Sequence, residues 1–250
     1  MKDWREIRID RPPVRNGGCS YPERGRTMEK VILLSGGIDS TTCLAMARQE
    51  TTADQILALN CFYGQKNKRE MQSARNIAAH YGVKLMELDL APIFAQSDCP
   101  MLIHSTKEIE HRSYREQETG NAPISSYVPF RNGIMLSAAV AIAYSVGASE
   151  VWYGAHADDA EGSAYPDCSE EFISNMNRAA RTGTAFAVSI KAPLAKLHKK
   201  DVVGLGLSLN APYALTWSCY EAGEHPCGKC GTCIAIKEAF EANGSEYPVK

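Results

Sequence analysis

Residues 31 to 42 read Val-Ile-Leu-Leu-Ser-Gly-Gly-Ile-Asp-Ser-Thr-Thr, an apolar run that breaks into a double-glycine turn and then enters a hydroxyl-rich segment. Val31, Ile32, Leu33 and Leu34 have the uninterrupted apolar character of a strand buried on both faces. Gly36 and Gly37 allow a sharp turn with no Cβ in the way. Ser40, Thr41 and Thr42 then fall in the first turn of a helix, where unpaired backbone N–H groups and the positive end of the helix dipole attract oxyanions. The stretch therefore predicts a strand, a turn and a helix built around an anion.

Outward from this turn the pattern alternates. Strands are predicted near 30–34, 55–61 and 84–90, with helices near 40–49 and 66–81 between them. A second half follows, with helices near 134–145, 170–181 and 200–207 and strands near 150–153 and 187–190. Such alternation predicts an α/β fold, a doubly wound parallel sheet with helices on both faces. Right-handed crossovers put the carboxyl ends of all strands on one edge, where ligands bind. Between the halves, 96–126 is polar and weakly periodic, and is expected to form a helical excursion or a mobile lid.

The chain has 250 residues, 44% of them hydrophobic, enough for a full core. A formal net charge of -2 supplies no general attraction to nucleic acid or anionic membrane, and a small-molecule substrate fits better. The longest apolar stretch, 134–148, is too short and too alanine-rich to span a bilayer. Residues 1–27 carry six arginines among acids, prolines and glycines, without the apolar core of a secretory signal. They are expected to be a disordered N-terminal extension, with 28–210 as the α/β domain and 211–250 as a C-terminal unit. A cytoplasmic location is expected.

Cys219, Cys227, Cys230 and Cys233 are spaced Cys-x7-Cys-x2-Cys-x2-Cys. Four thiolates at this spacing converge on one tetrahedral zinc, which four sulfurs saturate and leave without a position to activate water. The expected cofactor is thus a structural zinc in a small C-terminal helical subdomain, tied to an amphipathic helix at 234–242 that stops at Asn243-Gly244. Dithiol redox chemistry and an iron–sulfur cluster are the alternatives. Cys43, Cys61 and Cys99 are expected to be core or incidental.

The turn at 35–40 matches neither Gly-x-Gly-x-x-Gly nor Gly-x4-Gly-Lys-Ser/Thr. Gly223 to Lys229 does spell Gly-x4-Gly-Lys, but Cys230 stands where the hydroxyl belongs. Ser35 to Ser40 instead resembles the Ser-Gly-Gly-x-Asp-Ser loop of the N-type ATP pyrophosphatases, which cleave ATP between its α and β phosphates. Further segments follow in order: Tyr63-Gly64-Gln65, Tyr127-Val128-Pro129-Phe130-Arg131-Asn132, Tyr165-Pro166-Asp167-Cys168, Pro193-Leu194 with Lys199, and Thr216-Trp217-Ser218-Cys219-Tyr220. With these the chain resembles the 7-cyano-7-deazaguanine synthases, the QueC family, from about Glu29 to Gly244.

The resemblance implies an adenine nucleotide α-hydrolase-like fold and a ligase that turns ATP, ammonia and 7-carboxy-7-deazaguanine into 7-cyano-7-deazaguanine, a precursor of queuosine. The carboxylate attacks the α-phosphate to give an acyl adenylate, ammonia makes the amide, and a second ATP activates the amide for loss of AMP to the nitrile. Such chemistry asks the protein to position ATP and neutralise charge on the phosphates. Leu34, Ser35, Gly36, Gly37, Asp39, Ser40, Thr41, Tyr63, Gly64 and Gln65 are the expected ATP contacts. Asp39, Ser40, Lys199 and Arg131 are the expected catalytic residues, with Asp39 either orienting magnesium or capping its helix. Tyr127, Arg131, Asp158, Tyr165 and Asp167 are the expected contacts to the heterocycle. His156, just past a predicted strand, is set aside as structural. A homodimer without membrane or nucleic-acid partners is expected.

The family pattern Asp-Tyr-Gly-Gln-x-His is replaced by Phe62-Tyr63-Gly64-Gln65-Lys66-Asn67, and Gly-Tyr-Pro-Asp by Ala164-Tyr165-Pro166-Asp167. Three rival readings follow: a related ligase with another acceptor, a tRNA-modifying sulfurtransferase of the same superfamily, and a zinc-dependent binding module on an inactive fold.

Overall fold

The apolar alternation of the first half is resolved into strands β1 (Lys30–Leu33), β2 (Ile56–Phe62) and β3 (Lys84–Asp89), joined by helices α1 (Ile38–Glu50) and α2 (Arg69–Tyr81). A computed structural model describes residues 28–117, 122–161 and 164–249; the expected N-terminal extension at 1–27 lies outside the described residues. The second half contributes α4 (Arg131–Val146), β4 (Glu150–Trp152), α6 (Glu170–Gly183), β5 (Ser189–Lys191) and α7 (Lys199–Ser208). Short helices α3 (Tyr114–Gln117) and α5 (Ala157–Ala160) interrupt the connections, and α8 (Gly231–Ala242) closes the chain.

The five strands pair in the order β3-β2-β1-β4-β5, and every pairing is parallel. The register places Val31 between Leu57 and Val151, and Ile32 between Ala58 and Trp152. Because side chains alternate across a strand, Val31, Leu57, Leu59 and Val151 pack on one face with Leu136, Ala139 and Ala143 of α4. Ile32, Ile56 and Ala58 pack on the other with Cys43 and Leu44 of α1, Ile77 of α2 and Val202 of α7. Each fully buried aliphatic side chain contributes about 1.5–3 kcal/mol, so both faces hold the sheet. Chain order reverses at β1, whose neighbours β2 and β4 lie on opposite sides; the crevice at that switch point is where doubly wound sheets bind ligands.

The turn after β1 depends on Gly36. Its φ is +97°, and a Cβ there would lie 2.4 Å from the Glu70 carbonyl oxygen and 2.8 Å from the Ala74 nitrogen. The first turn of α2 is therefore packed directly onto the loop. Helix α1 starts at Ile38, two residues earlier than predicted, with Gly37 as its N-cap.

Segment 96–126 does not take the helical form that is one of the two expected of it. Its one helix among the described residues is the four-residue α3, and the segment is anchored by isolated apolar side chains: Cys99, Met101, Leu102 and Ile124 are buried, and Gln65 bridges Leu102. Single anchors of this kind leave no periodic trace in sequence. At the end of the chain, Ile236, Ala239 and Phe240 of α8 pack on Ile38, Val203 and Tyr213, and the Asn243 side chain donates to the carbonyl of Lys200. The predicted stop at Asn243-Gly244 coincides with the end of α8. Among the described residues, no helix is long and apolar enough to cross a membrane.

Candidate active site

At the β1/β4 switch point lies a cavity of about 240 Å³, and the loop after β1 forms one of its walls. The loop is held by its own hydroxyls. Ser35 Oγ lies 3.0 Å from Ser40 Oγ and accepts from Gly37 N at 3.2 Å, and Ser40 Oγ donates to the Gly37 carbonyl at 3.1 Å. Leu34, Ser35, Gly37, Asp39 and Ser40 line the cavity. Gly36 is turned into the α2 contact instead. Thr41 is fully buried and donates to the Gly37 carbonyl at 2.7 Å, which fastens the first turn of α1 from behind.

Asp39 accepts from Lys199 Nζ through both carboxylate oxygens at 2.6 Å. Lys199 is the first residue of α7, which follows β5 and packs against α1, so the fold brings it beside a residue 160 positions earlier in the chain. His156 lies beside this pair, with Nε2 3.4 Å from Lys199 Nζ and 3.4 Å from Asp159 Oδ1. Its buried Nδ1 has no hydrogen-bond partner. Burial opposes ionisation of Asp39, but Lys199 and His156 outweigh it and hold the carboxyl below its ordinary range. Asp159 also faces His156, but burial outweighs that contact and, with the Asp39 charge nearby, pushes its carboxyl up. Asp158 sits on the rim, where it accepts from the Lys199 backbone N–H at 2.7 Å and pairs with His198. It fixes the start of α7 and hence the Lys199 side chain.

The far end of the cavity is aromatic and basic. The Arg131 guanidinium stands 4.8 Å from the centroid of the Tyr63 ring and donates to the Tyr63 hydroxyl at 3.1 Å. Arg131 opens α4 directly after Phe130, whose φ of +58° is unusual for a bulky residue and marks backbone strain at the approach to the site. Gln65 accepts from Tyr63 N at 2.9 Å through its side-chain oxygen and hydrogen-bonds Glu70. Burial pushes the Glu70 carboxyl up to about 7, although Arg131 and Gln65 pull the other way. Tyr165, Tyr114 and Tyr220 complete the wall, with Tyr165 hydroxyl 2.7 Å from Ser126 Oγ and Tyr220 hydroxyl 2.6 Å from that of Tyr114.

The four cysteines lie behind the C-terminal wall of the cavity, which Ser218, Tyr220, Thr232 and Ala235 line. Their Sγ atoms all lie within 4.8 Å of one another, and Cys227 and Cys233 Sγ are 4.0 Å apart. A tetrahedral site with metal–sulfur bonds near 2.3 Å needs sulfurs about 3.8 Å apart, so the set can hold a metal. Backbone N–H groups of Cys227, Lys229 and Cys230 donate to cysteine sulfurs at 3.3–3.4 Å, as thiolate ligands require. The segment leading into this cluster touches the phosphate loop: Trp217 N donates to the Gly36 carbonyl at 2.9 Å, and Ile38 N donates to Ser218 Oγ at 3.4 Å. Asn67 donates to the Cys219 carbonyl at 2.6 Å. Cys43, Cys61, Cys99 and Cys168 are buried and free.

Eleven of the sequence-predicted residues thus share one cavity: Leu34, Ser35, Gly37, Asp39, Ser40, Tyr63, Gln65, Arg131, Asp158, Tyr165 and Lys199. Gly36, Thr41, Gly64, Tyr127 and Asp167 do not line it. Asp167 caps α4, accepting from Asn132 N at 2.9 Å, and Tyr127 accepts from Phe130 N at 2.9 Å. The cavity adds Glu70, Asp159, Tyr114, Tyr220 and Ser218, to which sequence reasoning assigns no role, and His156, which it sets aside. Ser218 and Tyr220 had a signal, their place on either side of the metal-ligand candidate Cys219, and Asp159 had one in its adjacency to Asp158.

Residues 29–244 match the family described as "Queuosine biosynthesis protein QueC". The chain is 40% identical over 223 residues to 7-cyano-7-deazaguanine synthase of Archaeoglobus fulgidus, covering 89% of this chain and 90% of that one. It is 40% identical over 222 residues to the enzyme of that name from Nitratiruptor sp., covering 88% and 96%. Among solved structures, NMN synthetase from Francisella tularensis shares the fold at a TM-score of 0.50 and 15% identity, over 88% of this chain and 79% of that one.

Proposed function

The chain belongs to the QueC family, and from that premise we propose that it converts 7-carboxy-7-deazaguanine, ammonia and ATP to 7-cyano-7-deazaguanine. The observation that carries this reading is the union, in one cavity, of the Ser35–Ser40 anion loop with its Asp39–Lys199 pair and the Arg131–Tyr63 wall. One end suits a triphosphate, and the other suits a planar acid.

In this reading the loop and the N-terminal end of α1 receive the pyrophosphate that leaves. Lys199 neutralises charge that grows on the phosphates, and it is free to do so once Asp39 releases it. Asp39, an ionised carboxylate on the cavity wall, would hold a magnesium ion brought in with ATP, which supplies further neutralisation. Arg131 orients the carboxylate of the acid toward the α-phosphate, and Tyr63 and Tyr165 flank the heterocycle. Cys219, Cys227, Cys230 and Cys233 would hold zinc, and four sulfur ligands would make its role structural.

Incubation of the purified protein with ATP, ammonium and 7-carboxy-7-deazaguanine, followed by mass spectrometry, tests the reading. The expected products are the nitrile, a transient amide, and one AMP for each activation step. Absence of both amide and nitrile would overturn it.

A further inference from the structure

We propose that Glu70 accepts the proton from the substrate nitrogen in both halves of the reaction, a role that rests on the function proposed above. Four carboxylates line the cavity, and three are committed elsewhere. Asp39 spends both oxygens on Lys199, Asp158 holds His198 and the Lys199 backbone, and Asp159 faces His156. Glu70 takes its hydrogen bond from the neutral Gln65 side chain and keeps acceptor capacity.

Its location fits the chemistry. Glu70 lies in the first turn of α2, whose backbone is packed onto Gly36 of the anion loop, while its carboxylate extends toward Gln65 and Arg131. It therefore stands between the group that receives the phosphates and the group assigned to the acid, where an acyl carbon bonded to an α-phosphate must lie. Burial keeps its proton affinity near neutrality, as a general base working at neutral pH needs.

Both steps balance with one acceptor. When ammonia attacks the acyl adenylate, a C–N bond forms, the C–O bond to AMP breaks with its electron pair on the phosphate oxygen, and the surplus proton passes from nitrogen to Glu70. Adenylation of the amide oxygen by the second ATP leaves a nitrogen with two protons. Glu70 takes the first to give the neutral imidate and passes it to solvent, then takes the second as the C–O bond to AMP breaks with its electron pair on the phosphate oxygen. The C≡N bond forms as AMP departs. Between the steps Glu70 returns its proton to solvent. Adenylation of the acid moves no proton, and this separates the two roles experimentally.

The test is the E70Q variant, with acid-dependent ATP–pyrophosphate exchange and product formation measured side by side at fixed free ammonia. Exchange is expected to stay within about twofold of wild type, while amide and nitrile formation fall by about 10²- to 10⁴-fold, the usual contribution of a general base. The accumulated adenylate should be trapped by hydroxylamine as the hydroxamate, and E70D should recover part of the turnover. Retained turnover in E70Q would overturn the proposal and leave the function standing. Parallel loss of exchange and product would also overturn it, since Glu70 would then bind the acid or support the loop. A wild-type protein that forms neither product removes the function and this proposal together.

Discussion

Replacing Gly36 by alanine tests the central joint of the molecule. The substitution places a side chain at φ +97°, and its Cβ would lie 2.4 Å from a main-chain oxygen of α2, an atom that no rotamer change can move. A left-handed conformation costs a non-glycine residue about 1–2 kcal/mol, and forcing packed elements apart costs about 1–3 kcal/mol more. The expected loss is the sum, about 2–5 kcal/mol, at about 2–4 °C in Tm per kcal/mol for a chain of this size. Gly82 is the internal control. It caps α2 at φ +64° with no atom within 4 Å of an added Cβ, so G82A bears the conformational cost alone, about 1–2 kcal/mol. Thermal unfolding of both variants with and without ATP reads the difference. G82A should keep the stabilisation by ATP that mass action predicts, and G36A should lose it. Equal Tm losses and equal ATP shifts would refute the claim that the loop is held by the close approach of α2.

Chelation that removes metal from the four cysteines, or C227S, should weaken ATP binding as well as stability, because residues 217–218 support Gly36 and Ile38; calorimetry showing unchanged ATP affinity in metal-free protein would count against that coupling. Asp39 has a depressed carboxyl in the folded state, so its pairing with Lys199 stabilises the protein above the ordinary carboxylate range, and this contribution is lost as pH falls through the folded value. K199M should flatten the acid-side decline in urea midpoint, and a slope unchanged from wild type would show that the pair contributes nothing.

The fold was legible because its signals are local. The Ser35–Ser40 turn, the apolar runs and the cysteine spacing each announce themselves within fifteen residues. Site residues were legible where a motif names them and obscure where orientation decides. Asp158 and Asp159 are adjacent, yet the first secures α7 and the second faces His156 inside the cavity. Thr41 follows Ser40, but a further 100° of helical rotation buries it. Glu70 leaves the weakest trace in the sequence. A glutamate in the first turn of a helix ordinarily reads as a solvated complement to the helix dipole, and only the packing of α2 on Gly36 brings it inside. Asp167 carries the chemistry of a base-recognition residue and spends it on capping α4.

The hydrogen bond from Trp217 N to the Gly36 carbonyl joins residues at opposite ends of the chain. During synthesis, β1, α1 and β2 can assemble long before residue 217 leaves the ribosome. The peptide groups of the anion loop remain short of a partner until the last segment arrives and its cysteines converge. The Gly36 carbonyl thus gains its partner only once residue 217 has been made. A ribosome-bound fragment ending before Trp217 should contain a paired sheet without gripping ATP.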